Sequence, residues 1–314
     1  MSKKKIWFCL LMFAAFFFCH AADAAEKEIR IALWKLPLNI PAMAAMDENA
    51  YEKAFSGDRK IGYIQLPSGP KQIQAMAAGA LDISEGIGVS AALVGIANGA
   101  KIKIIGVTSR SPKAFAVMVL DPAIKNAGDL KGKKVAGLRG SVVHELLLIY
   151  LAEAGLSEND IEFFPMTLHA AASALIGQRV DAALLVGTEV VKAQSAGAKI
   201  LADGEGRLNG LSLIAARADF LEKNQPAVHK YLATREQIVE RLRKNPDAFV
   251  PLVMNETGLS EVEAKKLMKL YDFDSQITSK DLEELRSTYL YLEKGNYIKK
   301  SVDADHLMKE AFDD

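Results

Sequence analysis

The sequence predicts an α/β protein of two lobes around a ligand cleft, with a helical C-terminal third. Three observations carry this. Short β-rich runs alternate with helical ones through the first two thirds of the 314 residues, the pattern of open sheets with helices on their faces. From Ala218 onward the pattern is almost wholly helical. The third observation is the segment 132–151, which reads as a charged turn, a short apolar strand, a Gly140-Ser141 corner and a long amphipathic helix. A strand that passes through Gly-Ser straight into a helix exposes backbone N–H groups, here those of Val143 and His144, at the positive end of the helix dipole. Such a corner suits an anion, although Ser141 serving only as an N-cap is the commoner use of the pattern.

Taken in order, residues 28–34 alternate as a strand, and Asn39-Ile40-Pro41 starts a helix with Pro in its first turn. A second strand over 62–66 leads to Ser68-Gly69-Pro70, which opens a helix running to Gly79. A strand over 81–83, a helix over 90–98 closed by Gly99 and a strand over 102–107 follow. The second lobe has strands over 114–120, 134–138, 161–164 and 180–186, a helix after Ser141, another over 170–176, and one capped by Thr188 that ends near Gly197. Residues 211–216 read as a strand returning to the first lobe, and Ser260-Glu261-Val262-Glu263 forms a capping box. Ser279, Asp303 and Asp305 are further cap candidates. With no long Gly/Ser linker, low-complexity tract or short-period repeat, the expected division is lobe 1 over 25–112, lobe 2 over 113–210, and a return to lobe 1 over 211–314. The crossings fall near Ser111-Pro112 and Asn209-Gly210.

Residues 1–24 read as an export signal. Lys3-Lys4-Lys5 precedes an apolar run over 6–18 and the small-x-small site Ala22-Asp23-Ala24, and the run is shorter than the roughly 20 residues of a spanning helix. Both cysteines, Cys9 and Cys19, lie within it. The mature chain is therefore expected to have no disulfide, thiolate metal site or cysteine nucleophile. Phe16, Phe17 and Phe18 are the wrong shape for a lipid-anchor signal before Cys19, so a soluble periplasmic product is expected. Removal takes away three lysines and one aspartate from 39 basic and 39 acidic residues. The resulting charge of about −2 gives no electrostatic reason to expect nucleic acid as a partner.

Ligands of open α/β sheets gather at the carboxyl ends of strands, where helices begin. The loops there are 35–39, 67–69, 86–90, 109–110, 139–141 and 187–189, and several end in a small residue or hydroxyl. Converging from two lobes, they would line a cleft with N–H and O–H donors. Catalytic patterns are missing: there is no His-Glu-x-x-His, no phosphate loop, no Gly-x-Ser-x-Gly and no cysteine pair. Neither a metal nor a cofactor is expected. Glu85, Glu189, Asp203 and Glu205 are not spaced for acid–base work and are expected to be mostly solvated. Arg139 reads as an anion attractor or a surface cation. His144 reads equally as a ligand contact or as a ring satisfying a backbone group, and Trp34 as a flat ligand wall or a strand-end core residue.

Several pieces together carry a resemblance. Asp129-Leu130-Lys131-Gly132-Lys133-Lys134-Val135, then Gly140-Ser141, Val143-His144 and a Leu-rich helix, resemble the periplasmic binding proteins of ABC importers for alkanesulfonates, taurine and nitrate. So do Pro67-Ser68-Gly69-Pro70, Gly79-Ala80-Leu81-Asp82-Ile83, Ala97-Asn98-Gly99-Ala100-Lys101, Val180-Asp181-Ala182 and Leu201-Ala202-Asp203-Gly204. The resemblance implies a type II periplasmic-binding fold. It implies ligand contacts from Leu36, Leu38, Asn39, Ser68, Gly69, Gly88, Val89, Ser90, Gly140, Ser141, Val143, His144, Gly187 and Thr188, to which Trp34 is added as the candidate wall. It further implies a non-enzymatic, monomeric receptor that hands its ligand to a permease and its ATPase. Two departures, Val186-Gly187-Thr188 where relatives carry an aromatic, an acid and a proline, and Ser84 where glycine is common, imply a reshaped pocket. The rival readings are a receptor for a thiamine-precursor pyrimidine or other aromatic ligand, an enzyme of pyrimidine-precursor synthesis on the same fold, and a sensory receptor.

Overall fold

A computed structural model describes residues 28–66, 68–298 and 303–312. The export signal, both cysteines and Pro67 lie outside the described residues. The strands are β1 (Glu28–Leu33), β2 (Lys60–Ile64), β3 (Ile83–Gly88), β4 (Ile102–Arg110), β5 (Phe115–Val119), β6 (Lys134–Gly137), β7 (Glu162–Pro165), β8 (Ala182–Val186), β9 (Lys199–Asp203) and β10 (Leu211–Arg217). The helices are α1 (Ile40–Asp47), α2 (Ala50–Ala54), α3 (Gly69–Ala77), α4 (Val89–Ala97), α5 (Val142–Glu153), α6 (Leu168–Ile176), α7 (Thr188–Ser195), α8 (Ala218–Lys244), α9 (Val250–Thr257), α10 (Glu261–Met268), α11 (Ser279–Lys294) and α12 (Ala304–Phe312).

Two five-stranded mixed sheets result, in the orders β2-β1-β3-β10-β4 and β7-β6-β8-β5-β9. In the first, β1 runs parallel to β2 and β3, while β10 lies antiparallel between β3 and β4. In the second, β6 runs parallel to β7 and β8, and β5 lies antiparallel between β8 and β9. Alternation supplies both faces. Ile29 and Ile31 of β1 pack with Tyr51, Tyr231 and Val239 on one side, while Ala32 and Ile87 meet Leu93, Leu285 and Tyr289 on the other. In the second sheet Val117, Val135 and Leu184 face Leu146 and Leu147 of α5, whereas Met118, Ala183 and Leu185 face Leu175 and Val190. Each such fully buried aliphatic side chain contributes about 1.5–3 kcal/mol.

The structure revises several local expectations. The third strand starts at Ile83 and runs through Gly88, because pairing with β10 carries the backbone on past the expected end. Strand β9, with only one fully buried residue in Lys199–Asp203, has no strong alternation and is absent from the sequence reading. Gly187, not Thr188, occupies the N-cap position of α7. Thr278, not Ser279, caps α11, accepting from Asp281 N–H while the Asp281 carboxylate takes the Thr278 N–H at 2.8 Å. Asp303 accepts from His306 N–H at 3.0 Å, whereas Asp305 lies inside α12.

The segments joining the sheets hold each other. Ser111 N–H donates to Asn209 O at 3.0 Å, Ser111 Oγ to Gly210 O at 3.2 Å, and Gly204 N–H to Pro112 O at 3.0 Å. From α11, the Glu284 carboxylate accepts from Asn209 N–H and from Leu211 N–H, the latter at 3.2 Å. One turn earlier, Asp281 takes two hydrogen bonds from the Arg110 guanidinium, at 2.9 and 2.5 Å. The last strand before the first crossing and the first strand after the second are thus tied to one helix.

Candidate functional site

The parallel strands of each sheet end together, and at those ends helices begin. In lobe 1 the loop after β1 is set by Trp34 and Asn39. The Trp34 indole N–H donates to Leu66 O, joining the ends of β1 and β2, so the half-buried ring braces the loop. Asn39 is fully buried at the N-cap of α1. Its Nδ2 donates to Trp34 O at 2.8 Å and to Glu85 O at 3.3 Å, leaving Oδ1 buried without a partner. Gly86 makes this approach possible: its φ is +93°, and a Cβ there would stand 2.7 Å from the Asn39 amide. Leu36 is exposed and Leu38 half-buried beside them.

Two more helix starts are pressed together. A Cβ on Gly69 would lie 2.4 Å from the Ala91 Cβ, so only glycine lets the first turn of α3 rest on the first turn of α4. This brings Ser68-Gly69 alongside Gly88, Val89 and Ser90. Ser68 sits at the N-cap of α3 in extended conformation with no side-chain cap bond, Gly88 is exposed and Val89 is buried. Ser90 Oγ is buried with no partner. Ser84, the departure from the expected glycine, donates to Gln72 Oε1 at 2.6 Å, and Gln72 Nε2 reaches Leu66 O at 3.2 Å.

Glu85, expected to be solvated, is instead fully buried. It turns away from the loops, accepting from Arg235 Nε at 2.6 Å and from the Tyr231 hydroxyl. Arg235, also fully buried, donates further to Thr108 O at 2.6 Å, Phe273 O at 3.2 Å and Ser275 Oγ at 2.5 Å. With four of the five guanidinium N–H groups paired, the arginine and the carboxylate can lie together in the interior.

In lobe 2, Gly140 has φ +73° and Ser141 opens α5. Ser141 Oγ donates to Leu138 O at 2.6 Å and makes no cap bond to the helix. The expectation that His144 presents its N–H outward is corrected: that N–H donates to Ser141 O at 2.9 Å within the first turn. Val143 remains of the expected donor pair, with its side chain buried. The His144 ring is 1% exposed, with Nδ1 3.0 Å from Tyr291 Oη and Nε2 2.9 Å from Glu158 Oε2. Burial lowers its pKa more than Glu158 raises it, so the ring is neutral at pH 7. A proton on Nε2 satisfies both contacts. The ring thus has a side-chain partner at each nitrogen, and the Gly140 N–H also points at Nδ1, at 3.4 Å. Arg139 is half-exposed, paired with Glu158 and 4.6 Å above the Phe163 ring. Gly187, with φ +54°, and half-buried Thr188 open α7.

Sequence reasoning missed two tyrosines. A Cβ on Gly140 would stand 2.9 Å from the Tyr297 ring, and one on Gly187 would stand 2.6 Å from Tyr271 Oη. Each glycine that opens a lobe 2 helix is therefore covered by a tyrosine from the C-terminal third. No local signal reveals these contacts, because each joins segments remote in sequence. The same third also ties the lobes: Ser195 Oγ of α7 donates to Glu263 of α10 at 2.5 Å, and Thr288 Oγ1 lies 3.4 Å from Glu145 Oε2. Burial, then the neighbouring Glu284 carboxylate, push the Glu145 pKa up to about 7. Among the described residues, no group of three His, Cys, Asp or Glu is arranged to hold a metal, and no helix is long and apolar enough to cross a membrane.

Paired mixed sheets, twice-crossing connections and helix starts gathered at strand ends define the class of two-lobed periplasmic binding proteins. The periplasmic aliphatic sulphonate binding protein SsuA of Escherichia coli superposes with a TM-score of 0.81 at 25% identity, over 89% of this chain and 96% of that one. The alkanesulfonate-binding protein SsuA of Xanthomonas axonopodis pv. citri, solved bound to MOPS, gives 0.76 at 24% identity, over 90% and 97%. A relative from Escherichia coli (strain K12), named for binding aliphatic sulfonates, is 29% identical over 253 residues, 77% of this chain and 75% of its own. Residues 60–249 match the family described as NMT1/THI5 like, and the chain belongs to that family. The relatives carry the names of binding proteins, not of enzymes.

Proposed function

We propose that the protein is the extracytoplasmic solute receptor of an ABC-type importer. It captures a small organic or inorganic anion of the sulfonate, taurine or nitrate class and delivers it to a membrane permease with its ATPase. The observation that carries this is the polarity of the strand-end loops. They offer hydroxyls at Ser68, Ser90 and Thr188 and helix-start N–H groups at Ser68-Gly69, Gly88 to Ser90, Gly140-Ser141 and Gly187-Thr188. Such donors favour an anion, and the acids nearest them are answered by cations: Glu85 by Arg235, Glu158 by Arg139 and Glu189 by Lys192. The unpartnered Ser90 Oγ and the names of the relatives support the same reading.

In this mechanism 25–112 with 211–314 forms one lobe and 113–210 the other, hinged at the paired crossings. A ligand touching both lobes stabilises the closed form because only there are both sets of donors engaged. The protein is made with a cleaved signal over 1–24 and works as a periplasmic monomer. Mass spectrometry of co-purifying ligand, followed by calorimetry with ethanesulfonate, taurine, nitrate and a thiamine-precursor pyrimidine, tests the class. Ser141→Asp, which places a carboxylate at the corner and gives up the hydrogen bond to Leu138 O, is expected to lower the melting temperature by a few degrees and to weaken anion binding by about 2 kcal/mol or more. Wild-type affinity in that variant would remove the corner from the site, and binding of the pyrimidine alone would replace the anion reading.

A further inference from the structure

We propose that lobe 1 carries a second ligand site, lined by its C-terminal helices and not by the strand-end loops, that takes a medium-chain aliphatic monoanion such as a fatty carboxylate. A cavity of about 400 Å³ opens between the C-terminal half of α8, the start of α9 and α10, within the roughly 300–1,000 Å³ range of small-molecule pockets. Its floor is apolar, formed by Val239, Leu242, Met268 and Phe273, each at most 8% exposed. The mouth carries three cations, Arg243, Lys265 and Lys269, against two acids, Asp247 and Asp272.

The charges at the mouth are paired but for one. Lys265 reaches Asp247 at 3.2 Å and Glu261 at 2.9 Å, and Asp272 faces Arg110 at 3.6 Å from outside the cavity. Arg243 reaches Glu236 at 3.9 Å, whereas Lys269 has no ion-pair partner among the described residues. An apolar floor beneath an unpaired cation complements a chain with one negative end. A short polar anion would leave the floor unused, and a neutral hydrocarbon would leave the cation unanswered. The site is thus distinct in chemistry from the loops that hold hydroxyls and helix-start N–H groups.

Two features place this cavity beside the contact between the lobes. Lys265 and Met268 lie on α10, the helix whose Glu263 receives Ser195 of α7, and Lys269 lies at its C-cap. Tyr271, which also lines the cavity, points its hydroxyl at Gly187, where α7 begins.

Calorimetric titration of the full mature protein with sodium decanoate tests the site. Saturable one-to-one binding is expected, weakened about tenfold in Lys269→Glu, since a charged partner is replaced by a repelling one. Val239→Trp, which fills the floor, is expected to abolish it, with a thermal melt confirming the fold. Lys269 is on the surface, so Lys269→Glu decides the matter even where the tryptophan variant is unstable. Ethanesulfonate titrated separately is expected to behave identically in Lys269→Glu and wild type. No saturable decanoate binding, wild-type decanoate affinity in Lys269→Glu, or loss of decanoate binding when ethanesulfonate is present would each overturn the proposal. The decanoate result holds whether or not a sulfonate binds elsewhere, so the two readings fail separately.

Discussion

Both lobes are built on five-stranded sheets, yet they bury different things. Lobe 1 hides ions: Glu85 with Arg235, Asp82 with Arg30 and Arg217, and Asp281 with Arg110. In lobe 2 the buried polar side chains among the described residues are His144 and Glu145, and each has a partner on α11, Tyr291 and Thr288. The difference follows the path of the chain. Lobe 2 is made from one continuous stretch, and apolar packing between neighbouring elements suffices. Lobe 1 must join strands made early to a strand and helices made late, and buried ions span that gap: Glu85 of β3 with Arg235 of α8, Arg110 of β4 with Asp281 of α11, and Asp82, before β3, which takes Arg217 of β10 as well as Arg30 of β1. Charged pairs add little net stability but penalise wrong partners heavily. They suit a lobe whose pieces must find each other.

The largest expected effect tests this contrast directly. Arg235→Met strands the Glu85 carboxylate in the core and is expected to cost about 3–5 kcal/mol by chemical denaturation. Adding Glu85→Gln is expected to restore a substantial part of that loss. If the double variant is no better than the single, the arginine acts through its bonds to Thr108, Phe273 and Ser275 instead of through charge. In lobe 2, Leu147→Ala opens a cavity in an apolar core and is expected to cost about 3 kcal/mol, with no partner substitution able to recover it.

The smallest effect concerns the one carboxyl that lobe 2 buries. Glu145 titrates at about 7 in the folded protein, above its ordinary 4.5. The folded state thus holds a proton that the unfolded state releases, and its contribution is full below about pH 4.5 and lost as pH rises to about 7. Glu145→Gln is expected to flatten that part of the stability–pH curve and to stabilise the protein by about 1–2 kcal/mol at pH 8. An unchanged curve would mean that the carboxyl is solvated and that lobe 2 buries no ionisable acid.

The same contrast explains what could be read before the structure. Strands and helix starts were legible wherever alternation met a Gly, Pro or hydroxyl boundary, as at Ser68-Gly69-Pro70 and at Gly140-Ser141. Contacts across the long gap were not. Glu85 looks like any strand-end carboxylate until Arg235 is placed beside it. The Gly140 corner was found in the sequence, but Tyr297, which covers it, has no local mark. His144 reads as a ring with two fates, and its partners Tyr291 and Glu158 have no local mark in the sequence.

The place of β10, between β3 and β4, also sets an order of events during synthesis. Once residue 203 has left the ribosome, every strand of the second sheet exists, and that lobe can complete its core. The first sheet at that moment has β1, β2 and β3 on one side and β4 on the other, with a vacant lane between them. The strand that fills the lane arrives only with Leu211–Arg217, and the helix bearing Arg235 later still. The lobe that begins first in the chain is therefore the one that must finish last, a vectorial constraint imposed by where a single strand is inserted.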